Sequence, residues 1–90
     1  MAVSGRVDRL LVEEGRVLVA DFKTNRPAPV TIEAADPAYV RQMALYWAVL
    51  GEVFPGRSIE AALVWTDGPK LMAVPENLMR AALDEMAASG

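Results

Sequence analysis

Residues 5–25, GRVDRLLVEEGRVLVADFKTN, decide how this chain folds. Two runs rich in Val and Leu, about residues 3–12 and 16–23, flank Glu13-Glu14-Gly15, the pattern of a β-hairpin. Whether the loop is Glu14-Gly15 or the four residues Glu13 to Arg16, Val12 faces Val17 across it. Counting outward, Leu10 faces Val19, Asp8 faces Asp21 and Arg6 faces Lys23. The two-residue period of a strand projects all of these side chains from one face. An odd loop or a bulge would shift every pair by one. The even register sets two aspartates opposite each other on an otherwise apolar face, with Lys23 two residues beyond Asp21.

Downstream, Asn25-Arg26-Pro27 and Pro29 mark a loop, and Asp36-Pro37 offers an N-cap with proline at the first helical position. The following helix should run to about Val53, where Pro55-Gly56 stops it. Ile59, Ala61, Leu63 and Trp65 alternate as a strand over about 58–66, Asp67-Gly68-Pro69 turns, and Leu71 to Val74 returns. Pro75 opens a last helix, with Leu78, Met79, Ala82 and Met86 at helical spacing. A strand–helix–strand order implies a right-handed crossover that sets the 58–66 strand parallel to the 16–23 strand. The predicted fold is α/β (α+β): a mixed sheet of about four strands in the order β-β-α-β-β-α, with helices packed against it.

Composition narrows the function. A chain of 90 residues is one small domain, with no repeat or linker to divide it. It is 53% apolar and 23% charged, which is globular rather than disordered. It contains neither cysteine nor histidine. Zinc-thiolate, iron–sulfur and histidine-triad chemistry are therefore excluded within it, and a reducing cytoplasm is the compatible location. The N-terminus lacks the apolar core of a secretory signal, and the longest apolar run, Met43 to Leu50, is too short to span a membrane. A net charge of −3 argues against nucleic-acid binding by a broad basic surface, so any phosphate contact must be local or carried by a cation.

Opposed carboxylates on one sheet face repel, and burying either is costly. A divalent cation offsets both costs. Oxygen ligands on adjacent strands suit Mg²⁺, which takes one or two carboxylates, several waters and a substrate phosphate. Lys23 on the same face could stabilise a phosphate oxygen or orient the attacking water. A single aspartate near a strand end is ordinarily a surface or turn residue, and Asp-x-Lys recurs by chance. Two acids in register beside a lysine make a narrower pattern.

The stretches SGRVDRL, VLVADFKTN and YVRQMALYWAVL together resemble the nuclease domain at the C-terminal end of AddA-type helicase–nucleases, in the RecB-like branch of the PD-(D/E)xK nucleases. The resemblance covers about residues 4 to 83. It implies that Gly5-Arg6-Val7-Asp8 supplies a first metal-binding acid, Asp8, and that Asp21-Phe22-Lys23 supplies the second acid and the catalytic lysine. It adds the backbone carbonyl of Phe22 as a metal ligand. Gln42 and Tyr46 match a Gln-x-x-x-Tyr motif that borders the active site and contacts substrate or orients the catalytic groups. The implied activity is Mg²⁺-dependent hydrolysis of DNA, with Mn²⁺ as a possible substitute, of exonuclease type. The implied partners are DNA, helicase domains carrying the ATPase, and a second, AddB-like subunit, all in recombinational double-strand break repair. Indeed, no Gly-x-x-x-x-Gly-Lys phosphate loop occurs here.

Gln42 and Tyr46 also stand on their own: four residues apart, they share a helix face that Tyr39 and Val49 extend. Val40, Met43, Trp47 and Leu50 form a second apolar stripe. A plain core helix would show the same pattern. Trp47 and Trp65 are assigned to packing, while Arg6, Arg26 and Arg41 could meet phosphates. Relatives carry another acidic or histidine ligand on a helix before the first aspartate motif, and only seven residues, none acidic or histidine, precede Asp8. The chain is therefore expected to be the C-terminal portion of a nuclease domain lacking its first helix, within a larger protein. On its own it is expected to self-associate and to cleave DNA weakly or not at all. Two other readings are a catalytically silent nuclease-like module used for protein–protein docking, and a small structural α/β domain with chance acids and no metal affinity.

Overall fold

In the computed structural model, which describes residues 9–24, 29–66 and 70–89, strand β1 (Arg9–Val12) pairs antiparallel with β2 (Arg16–Lys23). Val12 pairs with Val17, Leu11 with Leu18, Leu10 with Val19 and Arg9 with Ala20, the register of an even loop. The turn is closed by the Glu13 amide donating to the Arg16 carbonyl at 2.8 Å. Gly5, Arg6 and Asp8, and with them the predicted Asp8–Asp21 pairing, lie outside the described residues, as do Arg26 and the Asp67-Gly68-Pro69 turn.

Helix α1 (Pro37–Val53) begins where the cap chemistry requires. The Asp36 side chain accepts from the Ala38 amide at 2.9 Å, and Pro37 occupies the first turn. Asp36→Ala should lower unfolding stability by about 1 kcal/mol, the usual worth of such a cap, readable as a shift in urea midpoint. The helix ends with the Phe54 amide on the Leu50 carbonyl. Gly56 follows at φ 85°, a left-handed conformation that glycine adopts without steric cost and that turns the chain into the next strand.

Strand β3 (Ser58–Trp65) lies parallel to β2, from Arg16 opposite Ser58 to Lys23 opposite Trp65, so the parallel pairing across α1 is as predicted. Strand β4 (Lys70–Val74) returns antiparallel to β3, and helix α2 (Glu76–Ser89) closes the chain. The sheet order is β1-β2-β3-β4. A short 3₁₀ turn, Ile32–Ala34, lies in the segment predicted simply as a loop.

The two sheet faces differ sharply. Val17, Val19, Asp21, Ala61, Leu63, Trp65, Met72 and Val74 line one face and are buried. Met43, Ala44 and Tyr46 of α1 and Met79 and Ala82 of α2 complete the core over it. Trp47 donates its indole N–H to the Ile59 carbonyl at 3.1 Å and Trp65 is fully buried, so both tryptophans pack as assigned. One expectation is corrected. Val49, placed on the Tyr39–Gln42–Tyr46 stripe, is 47% exposed, because the direction of α1 that meets the sheet runs through Met43 and Leu50 and leaves Val49 on the far flank. The other sheet face carries Leu11, Leu18, Phe22, Val64 and Leu71, and neither helix covers it; Leu71 is 66% exposed.

Candidate active site

Asp21 is a buried acid on the apolar face of a central strand, flanked along β2 by Val19 and across the ladder by Leu63. A carboxylate there forfeits most of its hydration, which is costly unless a countercharge is at hand. Lys23, two residues along and hence on the same face, supplies it: Nζ lies 2.5 Å from Asp21 Oδ2, and its side chain is 15% exposed. The strand end bearing Lys23 is pinned. The Thr66 amide and hydroxyl both reach the Lys23 carbonyl, at 3.0 and 3.3 Å.

The crossover helix completes the cluster. Lys23 Nζ donates to Gln42 Oε1 at 3.5 Å, and Gln42 Nε2 donates to the Tyr46 hydroxyl at 3.3 Å. One amide orientation satisfies both bonds, so the row Asp21–Lys23–Gln42–Tyr46 is internally consistent. The strand motif and the helix motif, remote in sequence, therefore meet through their polar atoms. The structure adds Tyr39, whose ring centroid is 4.0 Å from Lys23 Nζ. Sequence reading set Tyr39 on the Gln42 stripe but gave it no task; its spacing three residues before Gln42 was the available signal.

The donor set suits a hard divalent cation in part. Successive strand carbonyls point to opposite sides, and the Lys23 carbonyl is directed at Thr66 beside β3. The Phe22 carbonyl is therefore turned the other way, toward the side where β1 lies. A carboxylate and a backbone carbonyl are the oxygen ligands Mg²⁺ prefers. Among the described residues no group of three or more His, Cys, Asp or Glu side chains gathers as a metal cluster, and Asp8 is outside them. Arg41 is exposed on α1.

The family description of the PD-(D/E)XK nuclease superfamily matches residues 1–88, nearly the whole chain. No curated protein and no solved structure matches it.

Proposed function

The chain belongs to the PD-(D/E)XK nuclease superfamily, whose members are generally nucleases that use divalent metals, and on that premise we propose that it is a metal-dependent deoxyribonuclease domain. The row from buried Asp21 through Lys23 and Gln42 to Tyr46 carries the proposal. A buried ion pair contributes less stability than well-packed apolar side chains would, so its presence in this core points to chemistry. Asp21, the Phe22 carbonyl and Asp8 would hold Mg²⁺ or Mn²⁺. Bound there, the cation would screen phosphate charge and ease deprotonation of the attacking water. Lys23 donates to a non-bridging oxygen, where charge grows as water adds to phosphorus and the bond to the leaving sugar oxygen breaks. Gln42 aims the lysine, and Tyr46 fixes the Gln42 amide.

The cellular setting we propose is an AddA-type helicase–nuclease of the cytoplasm, acting on DNA ends with an AddB-like subunit in recombinational repair; the order of the three sequence motifs supports it. Incubation of the protein with end-labelled duplex DNA should give slow nucleotide release that requires Mg²⁺ or Mn²⁺. Lys23→Met should lower that rate by about 10²–10³-fold, the scale for losing one transition-state donor. Metal uptake with no cleavage under any condition would favour the silent docking module instead.

The uncovered sheet face supports a second element of the proposal, self-association. Leu11, Phe22 and Leu71 are exposed there, and Arg16 and Glu60, 3.8 Å apart, put both charge signs at its rim. A second copy is the fitting occupant, because a two-fold axis can set Arg16 of one copy against Glu60 of the other. Light scattering should give a dimer mass that Leu71→Glu reduces to the monomer's. A monomer at high concentration in the unsubstituted protein would refute this element alone.

A further inference from the structure

An ammonium has three N–H donors, and among the described residues that of Lys23 meets three partners: the Asp21 carboxylate at 2.5 Å, Gln42 Oε1 at 3.5 Å and the Tyr39 ring at 4.0 Å. These three contacts, an ion pair, a hydrogen bond and a ring contact, hold the ammonium on its own protein partners rather than on a phosphate oxygen. The partners differ in kind. Asp21 offers full negative charge, and its oxygens are those a divalent cation would take. Gln42 and Tyr39 offer a neutral dipole and the negative face of a ring, neither of which competes with a carboxylate for a hard metal. A doubly charged cation arriving at Asp21 repels the ammonium and outcompetes it for the carboxylate. The ammonium then needs somewhere to rest within a part-buried site.

We propose that Lys23 is the built-in counter-ion of Asp21 in the metal-free protein, and that Tyr39 is a positioning residue that, with Gln42, retains the ammonium when a divalent cation displaces it from the carboxylate. The proposal rests on the metal-site reading given above. It explains why an aromatic ring stands beside the lysine: a ring face holds a cation without occupying a ligand position on the metal. Tyr39 is itself fixed at the start of α1, where its amide donates to the Asp36 carbonyl at 2.9 Å, and it lies one turn before Gln42. Loading the site then frees Lys23 from its ion pair to turn toward substrate while leaving the ammonium within reach of Gln42 and Tyr39.

Calorimetric titration with Mn²⁺ tests this on the unsubstituted protein, Lys23→Met, Tyr39→Leu, Tyr39→Phe and the Lys23→Met/Tyr39→Leu double variant. Lys23→Met should tighten binding by about tenfold, since the resident cation no longer has to be displaced from its charge-assisted contact. Tyr39→Leu should weaken it by roughly two- to fivefold, the worth of a cation–π contact, and Tyr39→Phe should leave it unchanged because the ring face remains. With Lys23 already replaced, Tyr39→Leu should have no effect. Weaker or equal binding by Lys23→Met, equal losses in Tyr39→Leu and Tyr39→Phe, or a Tyr39→Leu effect that persists without the lysine would overturn the proposal.

Two further readouts guard the interpretation. Proton NMR of the unsubstituted protein should show the Lys23 ε-protons shifted upfield by the Tyr39 ring, and further upfield with Mg²⁺ as the ammonium leaves Asp21 and settles over the ring, the gain by which Tyr39 favours the loaded state; an unchanged or smaller shift on adding Mg²⁺ would overturn the retention role without recourse to any variant. Asp21→Asn binding Mn²⁺ as tightly as the unsubstituted protein would instead place the metal elsewhere and bring down the metal-site reading itself, together with this inference.

Discussion

Asp21→Asn should abolish divalent-metal binding, and DNA cleavage with it. The substitution keeps the shape of the side chain and removes its charge, so the oxygen ligand we propose loses the property that attracts a hard cation. Altering a group that merely supports a metal ligand already costs about 10–100-fold in affinity, and losing the ligand's charge must cost more. Calorimetry should therefore give no measurable Mn²⁺ heat at concentrations that saturate the unsubstituted protein. The effect on stability expected from the described contacts of Asp21 has a sign opposite to the one that two facing acids suggest, namely a fold left intact or slightly more stable. Two facing acids would predict relief of repulsion and a slightly more stable variant. Among the described residues, which do not include Asp8, Asp21 is the countercharge of a part-buried ammonium. Removing it strands Lys23 on Gln42 and Tyr39, a loss of about 1–3 kcal/mol in the metal-free protein. Urea unfolding without metal distinguishes the signs.

Trp65→Ala should come close to unfolding the domain. Trp65 is fully buried at the centre of the core with Leu63, Met43 and Met79, and truncating a buried tryptophan costs about 3–5 kcal/mol. A domain of this size has on the order of 5–13 kcal/mol in total at roughly 0.05–0.15 kcal/mol per residue. The Trp65 indole N–H has no hydrogen-bond partner among the described residues. Trp65→Phe, which loses volume but also removes that N–H, should therefore cost less than half as much as the alanine variant. A urea midpoint for Trp65→Ala within error of the unsubstituted protein would show that the indole is not the centre of the core.

Local chemistry made much of the fold legible. The limits of α1 follow from Asp36-Pro37 at one end and Pro55-Gly56 at the other, and those of β2 from the turn residues on either side. The hairpin register follows from loop parity, and the parallel crossover from chirality. Three things were not legible, each for a physical reason. The 3₁₀ turn at Ile32–Ala34 is too short to carry a periodicity. Val49 shares a stripe with buried residues, and how far burial extends around a helix depends on the tilt at which it meets the sheet. The pairing of Lys23 with Tyr39 and Gln42 depends on which helix face the crossover turns toward the strand end, a tertiary fact. The motif residues were identified by hairpin register and by resemblance to a nuclease family; their contacts were set by packing.

Strand β1 joins the sheet by one edge, and all four of its residues are exposed, whereas the strand bearing Asp21 and Lys23 has neighbours on both sides and a helix above. In terms of amide hydrogen exchange the two halves of the hairpin belong to different classes. β1 contributes no buried residue to the core, so its amides should exchange by local opening. Those of β2 and β3 should exchange chiefly when the whole domain unfolds. Asp8 directly precedes the labile strand, and the Asp21–Lys23–Gln42 cluster lies in the protected one. On the proposed site reading, Asp21 and Lys23 thus sit in the half that persists for the lifetime of the folded state, beside a strand that comes and goes far more often.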